Sequence, residues 1–278
     1  MSAEDLYQSG KLAGALEAGL AKVKSNPLDR NARFFLSELM CFSGEWERAD
    51  RQLDSVVQQA DDSAMLALLL RQLIRGEVIR EQVFTEGRPP ELVVPLTDDA
   101  KLQLELVAAL RLGQTDDAAS LTTRGEEART VSTGTVDERS FTGIQDMDDR
   151  LRGVLEVITA SGKYFWVPWK NVRSLEFSAP ERPMDLIWRK TLIDVIDGPE
   201  GEVYVPVRYP VPTGAGWDEA LKLGRATDWS GDESTAVTGL GQRMLMLGED
   251  AVSIMELKNL QIDEAEVTAS DTSGDVGQ

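Results

Sequence analysis

Asp146, Asp148 and Asp149 are the densest group of carboxylates in the sequence that could act together. A hard cation such as Mg2+ accepts oxygen donors of this kind, and the chemistry would then be metal-dependent hydrolysis. The spacing is not the Asp-x-Asp-x-Asp-Gly of a calcium loop. Asp148-Asp149-Arg150 ahead of an apolar run also reads as the acidic start of a helix or turn. Gly214-x-Gly216 and Gly239-x-Gly241 have the small residues of a phosphate loop but neither its third glycine nor its lysine, and read as ordinary turns. Cys41 stands among Leu39, Met40 and Phe42, a setting that suits a buried, inert thiol better than a nucleophile.

Composition narrows the chemistry further. The 278 residues include no histidine and a single cysteine. That excludes a Ser-His-Asp or Cys-His pair, an imidazole ligand, an intramolecular disulfide and any multi-cysteine zinc site. No catalytic constellation and no cofactor motif stand out. Against 48 acidic residues there are 29 lysines and arginines, a net charge of −19. This charge opposes a phosphate backbone, so nucleic acid is not an expected partner. The longest apolar run, Ala64 to Leu70, is seven residues, against roughly 20 for a bilayer span, so no membrane insertion is expected. Met1-Ser-Ala-Glu-Asp-Leu lacks the features of a signal peptide, which leads to a cytoplasmic expectation.

The scaffold that would position these residues shows itself as a repeat. Gly10 is followed by Ala15, Gly44 by Ala49 and Gly113 by Ala118, each pair at the join of two helical patterns, and the first two glycines are 34 residues apart. That is the period of tetratricopeptide repeats. The spacing predicts hairpins of Ala3 to Ser9 with Leu12 to Ser25, Asn31 to Phe42 with Trp46 to Ala60, and Thr97 to Leu112 with Asp116 to Arg129. Ser63 to Phe84 is read as a degenerate, out-of-phase unit holding one glycine, Gly76. Thr97 followed by Asp98 and Asp99 is a good helix start.

Beyond Arg129 the texture becomes β-like. Strands are predicted over Val154–Thr159, Tyr164–Val167, Val172–Phe177, Thr191–Ile196, Val203–Val207, Arg243–Leu247 and Ala251–Leu257, with a short helix at Ala220–Gly224. The expected architecture is multidomain α+β: tetratricopeptide-like α-helical hairpin repeats over 1–130, a mostly β C-terminal domain over 131–262, and an acidic disordered tail over 263–278. Net charge is −7 up to Arg129 and −12 beyond it, so acidity is heaviest outside the repeats. Alternation in Tyr164-Phe165-Trp166-Val167 puts Phe165 and Val167 on one strand face and Tyr164 and Trp166 on the other. One face must be core. The other is either an interface between the domains or an aromatic binding patch, and Trp188 shares the ambiguity.

Several segments together resemble a known family. They are Gly44-Glu45-Trp46-Glu47-Arg48-Ala49, Phe141-Thr142-Gly143-Ile144-Gln145-Asp146, Gly162 through Trp169 with its Trp-Val-Pro-Trp, Asp185-Leu186-Ile187-Trp188-Arg189, and Gly201-Glu202-Val203-Tyr204-Val205-Pro206. The sequence from Leu6 to about Leu260 is similar to the ImpE/SciE (TagJ) family of bacterial type VI secretion accessory proteins. The resemblance implies a helical repeat domain joined to a family-specific α+β domain, and a non-enzymatic cytoplasmic adaptor. It also implies binding to the N-terminal helix of the small subunit of the contractile sheath, and assistance to the ATPase that recycles sheaths. It transfers no catalytic residues.

Stacked hairpins form a concave groove in which an amphipathic helix can lie. Counting from the turn glycines, its lining would be Glu4 and Tyr7, then Phe34, Glu38 and Cys41, then Gln103, Val107 and Leu110. Phe34-Phe35-Leu36 cannot all share one helix face, so one of them is exposed in a groove or buried against a neighbouring hairpin. The alternatives to an adaptor are a metal-dependent hydrolase using Asp146, Asp148 and Asp149, and a general protein-binding scaffold unrelated to secretion.

Overall fold

The computed structural model describes residues 1–58, 62–210, 217–232 and 235–263. Gly214-x-Gly216 and the acidic tail beyond Asp263 lie outside the described residues.

Three helical hairpins form where the glycine–alanine pairs predict them. They are α1 (Ala3–Gln8) with α2 (Leu12–Ser25), α3 (Arg30–Phe42) with α4 (Trp46–Val57), and, after the 24-residue α5 (Asp62–Thr85), α6 (Asp98–Arg111) with α7 (Thr115–Glu127). Gly10, Gly44 and Gly113 all have positive φ, at +79°, +74° and +70°. The N–H one residue further on then returns to the carbonyl five residues back, at 2.9 Å in Lys11→Leu6, Glu45→Met40 and Gln114→Ala109. This is the glycine stop that satisfies the last carbonyls of a helix, used three times. Ala15, Ala49 and Ala118 are fully buried behind these turns, where a larger side chain would hold the helices apart. Ser2, Asp29 and Thr97 cap α1, α3 and α6 through their side chains.

Gly76 makes no turn. It lies inside α5, and a Cβ there would stand 2.4 Å from Ile158 Cγ2. The helix therefore rests directly on a strand, and the degenerate unit read over Ser63 to Phe84 is one long helix.

The strands follow as β1 (Glu91–Leu92), β2 (Thr133–Val136), β3 (Arg139–Thr142), β4 (Ile144–Asp146), β5 (Val154–Thr159), β6 (Tyr164–Pro168), β7 (Val172–Phe177), β8 (Trp188–Val195), β9 (Glu200–Pro206), β10 (Thr227–Ser230), β11 (Thr238–Gly241), β12 (Met244–Leu247), β13 (Asp250–Ser253) and β14 (Asn259–Ile262), with α8 (Glu219–Lys222) before β10. Among the described residues the main sheet has the order β1-β6-β5-β9-β8-β7-β14-β2-β3, beside a three-stranded sheet β13-β12-β4 and the pair β10-β11. The α+β expectation, helical first and β-rich after, is what the chain forms.

Strand alternation divides the sheet between two cores. Val154, Ile158, Tyr164, Trp166, Trp188 and Tyr204 face the helices and join one continuous core with Leu36, Leu53 and Leu73. Leu155, Val157, Val167, Ile193 and Val205 face the other way, onto Leu245, Leu247 and Val252 of the small sheet. The Tyr164/Trp166 face is thus covered by the helical layer: Phe84 stacks on Trp166 with centroids 6.4 Å apart, and Trp46 on Trp188 at 5.9 Å.

A buried chain of charges crosses the same boundary. Arg80 of α5 donates to Glu77 and, with two nitrogens, to both oxygens of Glu156 on β5, each at 2.8 Å. Trp188 Nε1 donates to Glu77 at 2.7 Å, Tyr164 donates to Glu156 at 2.5 Å, and Arg243 bridges Glu156 to Asp146. Burial would raise the Glu156 carboxyl, but the guanidiniums of Arg80 and Arg243 outweigh it and hold it below its ordinary value.

Candidate functional site

The three aspartates are all buried and all engaged. Asp146 accepts from Arg243 Nε at 2.5 Å, and Asp148 from Arg150 and from Gly239 N–H at 2.8 Å. Asp149 pairs with Arg152 and accepts from Val237 N–H at 2.7 Å. Each carboxylate already faces a guanidinium, so the charge a divalent cation would neutralise is neutralised by arginine. Among the described residues no three acidic, cysteine or histidine side chains converge as metal ligands. Their work is structural: they tie the turn after β4 to β11 and β12. That geometry fits the acidic turn read from the sequence better than the alternative of a metal-dependent hydrolase. Gly239 lies in β11, where a Cβ would fall 2.2 Å from the Tyr209 ring, and its spacing to Gly241 reflects close packing.

The residues counted from the turn glycines do not line one open groove. Glu4 is exposed and pairs with Lys22 at 3.0 Å. Tyr7, Glu38 and Cys41 are buried. Gln103 is buried against Gly153, Val107 joins the core between helices and sheet, and Leu110 packs beside Leu106, Ala109 and Ala118. Phe34 is partly exposed and lines a cleft, and Leu110 is partly exposed as well. Leu36 is fully buried, while Phe34 and Phe35 keep an edge outward, which resolves the three-residue apolar run.

What covers the concave face is the chain's own C-terminal half. Arg225 donates to the carbonyls of Tyr7 and Gln8 at the end of α1, at 2.9 and 3.1 Å, and lies over the Tyr7 ring. Arg208 does the same for α3, donating to Phe42 at 2.9 Å and Cys41 at 3.2 Å, and also to Lys222 at the end of α8. Two arginines thus place positive charge at two helix C-termini, the favourable end for a cation. Glu219 completes the clamp by accepting from Ala13 N–H at 2.6 Å, at the start of α2, whose own N-cap residue supplies no side-chain bond. Burial lowers the Arg208 pKa to about 10, which leaves it charged at neutral pH.

A cleft of about 450 Å3 remains open beside α3, lined by Phe34, Phe35, Glu38, Leu66, Arg182 and Pro183 among others. A second, of about 360 Å3, adjoins it and shares Leu66 and Arg182, and is lined as well by Leu69, Lys190 and Tyr204. Glu38 lies 3 % exposed and accepts from the Met184 N–H at 3.1 Å. Burial pushes its carboxyl up to about 8. Sequence reasoning missed Leu66, Arg182 and Pro183. The only available signal was Pro180 and Pro183 within a short polar loop, which marks a rigid connection without saying what it faces.

The arrangement is that of a helical-hairpin repeat protein whose groove is largely filled by its own β-rich half, with two adjoining clefts open beside α3. Its described helices include none long and apolar enough to cross a membrane. The profile of the ImpE protein family matches residues 138–261. The chain is 32% identical to the type VI secretion system accessory component TagJ of Pseudomonas aeruginosa, over 95% of this chain and 92% of that protein. It also superposes on the crystal structure of protein VPA1032 from Vibrio parahaemolyticus with a TM-score of 0.87 and 28% identity, over 95% of this chain and 98% of that one. The chain belongs to the ImpE family.

Proposed function

We propose that this chain is a non-enzymatic, cytoplasmic adaptor of a bacterial type VI secretion system. In this reading it binds the N-terminal helix of the small contractile-sheath subunit and so assists sheath recycling by the ATPase, which it serves indirectly. The observation that carries the reading is the near full-length similarity to TagJ. The mode of binding is supported by the cleft at Phe34, Phe35 and Leu66, whose apolar side chains lie among Arg30, Asn31, Glu38 and Arg182 at the edge of a helical repeat layer where an amphipathic helix can lay one face. The concave groove itself is filled by Met184, Arg208 and Arg225, so the partner helix docks laterally.

Pull-down of the intact small sheath subunit, with and without its N-terminal helix, tests this. Capture is expected only with the helix, and equal capture without it overturns the mode. Phe34→Glu is expected to abolish capture while shifting thermal stability little, because Phe34 is only partly buried.

A further inference from the structure

The cleft is not a property of the helical repeats alone. One wall is α3 and the start of α5, through Phe34, Phe35 and Leu66. The other is Arg182 and Pro183 of the β-rich half, and the adjoining cleft continues that wall along Ser178, Ala179 and Asp185 to Tyr204 of β9. That wall is held rigidly from behind: Met184 is buried in the core under α3, its N–H bonded to Glu38. Pro183 precedes it, and Asp185 accepts from the N–H groups of both Glu181 and Arg182 at 2.9 Å.

The charges at the mouth then sort themselves. The Asp185 carboxylate is occupied by backbone donors, and Lys190 is paired with Glu202 at 2.6 Å. Glu38 is enclosed, and its burial keeps it protonated at neutral pH. Arg182 is exposed and lines both clefts, next to exposed Glu181 and with Arg30 of α3 in the lining of the first cleft, on a molecule of net charge −19. A local positive charge beside an apolar cleft, against an acidic background, selects a partner with apolar and acidic groups side by side. Like charges elsewhere on the surface repel that partner from other faces.

We infer that the cleft is a composite site of both halves of the chain, taking an amphipathic helix whose apolar anchor enters between Phe34, Phe35 and Leu66 while a neighbouring carboxylate pairs with Arg182. The choice of a helix as ligand rests on the adaptor reading above. The inference gives the β-rich half a direct part in binding: it supplies the charged wall of the site.

The test uses the full chain and two synthetic peptides, the N-terminal helix of the small sheath subunit and the same helix with its acidic residues changed to lysine. Binding is followed by fluorescence anisotropy. Arg182→Glu should weaken the native peptide about tenfold or more and should bind the charge-reversed peptide better than the unaltered chain does. Phe34→Glu should weaken both. Because Arg182 is exposed, its variant should melt with the unaltered protein, which separates lost binding from lost folding. If Arg182→Glu binds the native peptide as well as before, the composite site is overturned and the adaptor reading stands. If neither the intact sheath subunit nor its peptide binds the unaltered chain, the adaptor reading falls and this inference falls with it.

Discussion

Met184 N–H donates to Glu38 Oε1 at 3.1 Å, joining residues 146 positions apart and pinning the segment before β8 onto α3. Glu38 is buried there beside Asp185 and Arg182, and burial, the largest influence, raises its pKa from 4.5 to about 8. An unfolded Glu38 loses its proton near pH 4.5, whereas the folded one holds it to about 8. Across that window the folded state binds more protons, so stability falls as pH rises, and it levels off above about 8. Glu38→Gln keeps an acceptor for Met184 and has no proton to lose. Relative to the unaltered chain it should gain stability progressively from pH 5 to pH 8, by a few kcal/mol on the order of one pKa unit per 1.4 kcal/mol. Urea denaturation at several pH values measures it; a constant difference between the two proteins across that range would show that Glu38 ionises normally.

Arg80 is the hinge of the buried charge chain, since Glu77 on its own helix and Glu156 on β5 both depend on it. Replacing it with methionine keeps much of the packing but leaves two buried carboxylates without their main partner. Removing one member of such a set typically costs about 3–5 kcal/mol. Arg80→Met should therefore lower the denaturation midpoint far more than any exposed arginine change. A double variant, Arg80→Met with Glu156→Gln, should recover part of the loss, and a denaturation series on the four proteins gives the coupling.

The helical hairpins were legible because glycine turns and paired alanines are local: Gly10, Gly44 and Gly113 show in the sequence what they do in the fold. The inner strands were legible because runs such as Val154–Thr159 are buried on both faces. The strands β2, β3 and β10 were not, since their residues are mostly polar and β2 finds its inner partner, β14, far along the sequence. The β2–β3 turn hid for another reason. Asp137 and Glu138 both have positive φ, at 45° and 69°, where glycine or asparagine would have announced it. The groove was misjudged through Tyr7, Glu38 and Cys41, whose helix faces were counted correctly. Periodicity gives the face of a helix, but it cannot say that Met184, Arg208 and Arg225 arrive there from more than 140 positions away.

Gly76 offers a clean test of how α5 sits on the sheet. In an exposed helix interior, glycine to alanine gains about 1 kcal/mol. Here the added Cβ would meet Ile158 Cγ2 at 2.4 Å, and overpacking of this kind costs about 1–3 kcal/mol. Gly76→Ala should accordingly destabilise. In an Ile158→Ala background the obstructing atoms are gone, and the same substitution should become neutral or stabilising. Chemical denaturation of the four proteins decides it, and a Gly76→Ala that stabilises the unaltered background would mean the helix does not approach β5 so closely.

Arg225 holds the first hairpin to the rest of the molecule, and its removal should separate local from global stability. Its two bonds end on Tyr7 and Gln8 carbonyls, and its guanidinium lies 5.1 Å from the centre of the Tyr7 ring. A helix-terminal charge with a stacked ring contributes about 1–2 kcal/mol. Terminal hairpins have a neighbour on one side only, so that loss falls on the first hairpin before it reaches the whole fold. Arg225→Ala should speed amide hydrogen exchange through α1 and the start of α2, while leaving protection of β5 and β9 unchanged. Lysine at the same position restores the charge but not the forked pair of bonds, so Arg225→Lys should recover only part of the protection. Uniform acceleration across the whole chain would instead make Arg225 part of the global core, and its contacts with α1 no more than one contribution among many.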